Sequence, residues 1–279
     1  QGEVIWRFTK PGVVNFASDA SFGHASNTIT ISGGGFVCTA ASNSLAATRS
    51  IILSGGGDKF FRVYGSSTFT INGAISGTGN VRHTDGGTLV LNGANTFTGN
   101  LLNAAGTVAF NGTTASTYTG YTHLTNSSTL RLDASNMMPD TTDVLLYGGT
   151  TFNVNGKNET ISGVMVGGSS DTTATINLGP ALSTGTLTVT DIAMPGGSPT
   201  NVGGNLYAKI TGTGSIQYAN ATSNTALWDL LNTANNFTGN VIVTRGRLRV
   251  ALNGGLGSFG DAANDLVFNG DPVETLNNG

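Results

Sequence analysis

Gly2 to Gly23 reads GEVIWRFTKPGVVNFASDASFG and Gly239 to Gly260 reads GNVIVTRGRLRVALNGGLGSFG; the two align without a gap. The register continues past both, with SFGHASNTITISG from Ser21 matching SFGDAANDLVFNG from Ser258. A third copy stands between them from Met137 (MMPDTTDVLLYGG), where Asp143, Val144 and Leu146 take the places of Thr28, Ile29 and Ile31 and of Asp265, Leu266 and Phe268. Self-similarity at a long fixed spacing marks a repeat architecture. Tyr118-Thr119-Gly120 and Phe237-Thr238-Gly239 open the second and third copies, so residues 1–279 read as a single solenoid with long repeats 2–119, 120–238 and a partial repeat 239–279.

The copies differ in length in an informative way. The run from Met137 to Ile210 is longer than its match, Phe22 to Ile75, by about 20 residues, the size of one layer in many solenoids. Phe97 of Asn95-Thr-Phe-Thr-Gly99 is followed, after nearly the same interval, by Tyr118 of a second such motif. Length differences of this size are expected to be whole structural layers, because a solenoid gains or loses a coil without disturbing distant parts. About twelve layers spaced at roughly 4.8 Å would make a rod on the order of 50–60 Å long.

Within the layers, Thr88-Leu-Val-Leu91, Thr129-Leu-Arg-Leu132 and Arg247-Leu-Arg-Val250 alternate with period two, the mark of strands with one buried face. Leu89, Leu91, Leu130, Leu132, Leu248 and Val250 are placed inside, and Arg131, Arg247 and Arg249 outside. Each strand runs into Asn-Gly, Gly-Gly or Gly-Thr-Gly, residues that turn a chain at low steric cost. Composition agrees: 10% of residues are charged, 42 are Gly, and no convincing amphipathic helix is present. The fold class expected is all-β, a β-solenoid of roughly 20-residue coils. Collagen is excluded, since the glycines lack an every-third rhythm and only 6 prolines occur.

The motifs ISGTG, GTLVLNGANTFTG, NNFTGN, RLRVALNGGLGS and DTTDVLLYGGTTFNVNG together resemble the autotransporter-associated β-strand repeat. In that family an N-T-Y/F-T-G-x-T-x-V segment leads to G-T-L-x-V and then N-x-G-A-L-G; Asn236 to Gly257 matches this order and Asn95 to Phe110 its first part. The resemblance covers most of the chain, weakly at Ser169 to Asn205. It implies a right-handed parallel β-helix, secreted and displayed on a bacterial surface, often within a longer protein. The family's translocating β-barrel and a passenger enzyme are not recognisable in these residues. Gln1 begins without the basic and apolar stretches of a signal peptide, so such a segment is expected to have been removed or to lie upstream.

A net charge of -3 gives no electrostatic case for nucleic acid, and no apolar run approaches a membrane span, so no membrane insertion by this segment is expected. Cys38, the single cysteine, excludes a disulfide framework and reads as a small buried side chain.

Parallel β-helices also carry polysaccharide lyases and hydrolases, whose chemistry needs clustered carboxylates on adjacent coils. The best cluster is Asp58-Lys59-Phe60-Phe61-Arg62 with Arg82-His83-Thr84-Asp85 one coil later, which brings Asp58, Arg62, His83 and Asp85 onto neighbouring turns; the plainer reading is solvated turn residues. Asp140, Asp143, Asp261 and Asp265 share a repeat phase, but the calcium-binding G-G-x-G-x-D pattern is absent and local turn bonding explains them. His24, His83 and His123 fall at different phases and do not read as ligands. Arg245, Arg247 and Arg249, with Lys10, form a basic edge able to touch an anionic glycan, though a solvated strand face is the default. Trp6, Trp228, Tyr64, Tyr121 and Tyr218 are sugar-stacking candidates if exposed, core residues if not.

No catalytic, cofactor-binding or metal residue is therefore assigned. The expected function is a non-catalytic extracellular structural or adhesive β-solenoid, a stalk or filament-forming bacterial surface protein. Its expected partners are itself, end to end or within a longer chain, and surface glycans. The alternative is a carbohydrate-active or glycan-binding β-helix.

Overall fold

The computed structural model describes residues 6–8, 12–39, 42–167, 172–191, 203–220, 227–250 and 266–268. Among them the chain is almost entirely parallel strand wound into about ten stacked turns, with no α-helix and a 3-10 turn at Asp19–Phe22. A full turn presents three short strands to three faces. In one such turn Ile75–Gly77 lies on the first face, Asn80–Thr84 on the second and Thr88–Leu91 on the third.

Each strand bonds to its counterpart one winding away. On the second face Val81, Leu101, Thr122, Val144 and Val164 stack in register, each one winding beyond the last. The first face starts with Trp6–Phe8, Ile29–Ile31, Ile51–Leu53 and Ile75–Gly77. It continues through extended segments at 95–98 and 116–119, whose amides bond as strands do: Thr96 N to Ile75 O at 2.8 Å, and Thr117 N to Asn95 O at 2.8 Å. It then passes Met137 to Glu159–Ile161, Thr186–Val189, Ser215–Ala219, Val241–Arg245 and Leu266–Phe268. The third face runs from Asn43–Leu45 to Lys209–Thr211.

The interior is filled by the inward residues of all three faces. On the third face Leu89, Val108, Leu130, Phe152, Ile176 and Ile210 form one column, none more than 1% exposed. Phe97 and Tyr118 stack with centroids 5.0 Å apart and planes inclined by 1°. Gly77, whose carbonyl accepts from Thr98 N at 2.8 Å, has φ +87, and a Cβ there would sit 2.1 Å from Leu53 O.

Two expectations change. The turns number about ten rather than a dozen, because windings lengthen in the second half. On the first face Glu159 pairs with Leu187 and Leu187 with Ile216, longer steps than Val81 to Leu101 on the second. The second copy's extra length also does not form a whole coil. Among the described residues, six strands carry the chain from Ile29–Ile31 to Ile75–Gly77, and seven from Asp143–Leu146 to Lys209–Thr211. The insertion adds one strand, a third of a turn, plus longer connections. Equivalent segments consequently occupy different faces: Ile29–Ile31 is on the first and Asp143–Leu146 on the second, while Ile75–Gly77 is on the first and Lys209–Thr211 on the third. This works because every face alternates inward apolar residues with outward ones.

Leu130→Ala is expected to cost about 2–5 kcal/mol of stability by opening a cavity in this column. Thr107→Ala, an outward change one winding below, should stay within about 0.5 kcal/mol. Urea denaturation of the two variants measures both.

Candidate binding face

The strand Asp58–Val63 alternates without a break, so Asp58, Phe60 and Arg62 point out while Lys59, Phe61 and Val63 point in. The next strand, Asn80–Thr84, sends Asn80, Arg82 and Thr84 out and Val81 and His83 in. Parallel register sets Asp58 beside Asn80, Phe60 beside Arg82, and Arg62 beside Thr84. The outer side chains lock across the windings. Arg82 reaches Asp58 at 2.8 Å, and Arg62 reaches Asp85 at 3.0 Å. Thr84 donates to Asp85 at 2.9 Å, and the Arg62 guanidinium also bonds the Tyr64 hydroxyl and lies 5.3 Å from its ring centroid.

Asp58, Arg62 and Asp85 thus meet on neighbouring turns as the sequence leads one to expect, but His83 does not join them. It is fully buried, with Nδ1 2.9 Å from Asn103 Oδ1, and Asn103 in turn donates to Thr129 O at 2.8 Å. Burial lowers the imidazole's proton affinity. Lys59 is likewise turned inward; its ammonium donates to the carbonyls of Gly55 at 2.9 Å and Gly56 at 3.0 Å, and burial lowers its pKa. Period two alone identifies both residues as inward, since each stands between two outward neighbours.

The carboxylates are poor candidates for acid catalysis. Burial raises the pKa of Asp58, but the bonds from Asn80 and Arg82 together outweigh it and hold the group below its usual range. Burial also raises Asp85, and the bonds from Arg62 and Thr84 reverse that. Both are ionised at neutral pH, so neither has a proton to give to a leaving group.

Beside these pairs lies a groove of about 490 Å³ walled by Val13, Phe60, Arg62, Thr84 and Asp85 and floored by Gly12 and Gly34. Gly34 has φ +73, and a Cβ there would sit 1.6 Å from Gly12 O, so that position admits no side chain. Farther along the same face Leu102, His123, Leu145 and Met165 continue the outward column from Arg82. The His123 ring lies 4.7 Å from Tyr147 and 6.2 Å from Tyr121. Burial, then the charge of Arg82, lowers the pKa of His123.

The remaining candidates are dispersed. Burial raises the pKa of Asp143, whereas Asp140 is exposed; Asp261 and Asp265 fall outside the described residues. His24 bonds Ser26 at 2.7 Å. Among the described residues, no three His, Cys, Asp or Glu side chains converge as metal ligands would. Cys38 is buried, and burial raises its pKa. Of the basic edge, Arg249 pairs with buried Asp229 at 2.6 Å, and Lys10 lies outside the described residues. Trp228 and Tyr218 are core residues and Tyr64 is exposed, while nothing is described of the Trp6 side chain. No helix among the described residues is long and apolar enough to cross a membrane.

Sequence reasoning missed two buried ionic groups. Arg49, fully buried, spans Asp19 at 2.6 Å and the carbonyl of Asn27 at 3.0 Å. Glu159, 1% exposed, accepts from the amides of Met137 at 2.9 Å and Met138 at 3.4 Å. Their low exposure comes from closure of the turns, which no local pattern announces. Comparison with protein-family models, curated proteins and solved structures finds no match to this chain.

Burial pushes Glu159 up from 4.5 to about 7 despite those backbone bonds. Between these values the unfolded chain has lost the proton that the folded one retains. The group's contribution to stability is therefore full below the unfolded value and falls as pH rises through the window, by up to about 1.4 kcal/mol per unit. Chemical denaturation at pH 4.5, 6 and 7.5 should show Glu159→Gln removing that decline. An unchanged pH profile in the variant would exclude a buried titrating carboxyl.

Proposed function

We propose that this chain is a non-catalytic extracellular scaffold of a bacterium, a stalk or filament-forming surface element with adhesive capacity, of the autotransporter-associated repeat type. The observation that carries this reading is the uninterrupted column of apolar side chains running through successive windings. A rod built in this way gains length and stiffness winding by winding, each winding needing only its neighbours. Reach is what such a molecule supplies. The strongest polar cluster, at Asp58, Arg62, Arg82 and Asp85, is spent on ion pairs across windings, and this supports a structural rather than a catalytic use.

Self-association belongs to the same proposal. Successive windings join strand to strand by parallel pairing, and the same pairing is the means by which one copy adds to another.

Antibody raised against the purified chain should label intact producing cells, and negatively stained material should show straight rods or filaments. Label appearing only after cell lysis, or turnover of a polysaccharide by the purified chain, would overturn the proposal.

A further inference from the structure

The three faces do not share their chemistry evenly. Outward positions on the first face run Arg7, Thr30, Ile52, Ser76, Thr96 and Thr117 in one column, and beyond Arg7 none of these is charged. The second face carries Phe60, Arg62, Tyr64, Arg82, His123 and Tyr147 instead. Of its buried side-chain atoms without a hydrogen-bond partner among the described residues, Arg82 Nε, His123 Nε2 and Asp143 Oδ1 belong to outward residues and His83 Nε2 to an inward one. Folded proteins leave few such atoms bare, and a concentration of them on one strip calls for an explanation.

The geometry points to this strip as the binding surface for an uncharged polysaccharide lying along the rod axis. The inference rests on the adhesive reading above and gives it a ligand class. Windings repeat at about 4.8 Å, near the length of one pyranose residue in an extended chain, so successive sugars meet successive windings. Phe60 stands at one end of the strip, and His123 packed on Tyr147 begins three windings farther on, about 14 Å away. Half-buried rings offer the apolar face that a sugar's C–H face stacks upon.

Between the rings, the Arg62–Asp85 and Arg82–Asp58 pairs place fixed donors and acceptors side by side at no net charge. That arrangement suits hydroxyl groups, whereas an anionic chain would meet guanidinium groups already neutralised. A peptide is disfavoured for another reason. From Val13–Asn15 to Gly163–Val166 the strands of this face are joined into one eight-stranded sheet, so its lateral surface has no open edge to which a strand could add.

The test is affinity electrophoresis of the whole chain through native gels containing hydroxyethyl cellulose, xyloglucan, galactomannan or dextran, with polygalacturonate as the charged comparator. At least one neutral polymer should retard the chain. Phe60→Ala and Tyr147→Ala should each weaken binding about tenfold, the loss expected for one stacked ring. Thr107→Ala, on the third face, should bind as the parent does. Tyr147 is among the most exposed large side chains, so its removal leaves the core intact. Retardation by no neutral polymer, equal retardation by polygalacturonate, or parental binding by folded Phe60→Ala and Tyr147→Ala would each overturn the inference. Any of these results alongside surface-labelled cells would leave the stalk reading standing, whereas label confined to lysed cells would remove both.

Discussion

Each strand described here satisfies its backbone by pairing with a neighbouring winding, and that requirement governs the rest of the structure. A parallel strand cannot pair with its immediate successor through a tight hairpin; the chain must travel away and return. Along the second face it returns from Val81 to Leu101, then to Thr122 and Val144, each time facing the same way. A winding that came back one residue out of phase would turn its apolar side chains to water. Closure in register is thus what fills the axis with Leu, Ile, Val and Phe.

The corners enforce the same condition. Between the first and second faces, glycines lie on one another: a Cβ on Gly99 would sit 2.3 Å from Gly79 O, and one on Gly120 would sit 2.3 Å from Gly99 O. The next residue continues the stack through side chains, with Asn100 N donating to Asn80 Oδ1 at 2.9 Å and Tyr121 N to Asn100 Oδ1 at 3.1 Å. An asparagine also joins the copies' equivalent windings. Ile75 N donates to Asn95 Oδ1 at 3.1 Å, and Ile210 N to Asn235 Oδ1 at 2.8 Å. That bond survives a move from the first face to the third, so it belongs to the repeat rather than to one face of the rod.

Much of this was legible beforehand, and the part that was not has a physical cause. Alternation in Thr88–Leu91 and Thr129–Leu132 placed Leu89, Leu91, Leu130 and Leu132 inside and Arg131 outside, as found. Coil length emerged from the spacing of Phe97 and Tyr118, although the length difference between copies proved to be one strand and long connections. The site was half legible. Contact between Arg62 and Asp85 followed from a spacing near one winding, while the inward turn of Lys59 and His83 required applying the same alternation to polar residues. Lys59 is tolerated there because glycine carbonyls of the preceding turn receive its ammonium. The roles of Glu159 and Arg49 depend on windings that close over them and leave no mark in the local sequence.

The most direct test of stacked windings is a pair of disulfides. Thr107 and Thr129 are register partners on the third face, and Thr151 is one winding beyond. Neighbouring windings lie about 4.8 Å apart, within disulfide reach, and alternate ones about 9.6 Å, beyond it. In a chain carrying Thr107→Cys and Thr129→Cys, mild oxidation should close an intramolecular bond in the folded monomer, detected by mass and by faster gel migration. The Thr107→Cys and Thr151→Cys pair should remain as thiols. Closure of the second pair as readily as the first, or failure of the first in folded protein, would contradict the stacking on which everything else rests.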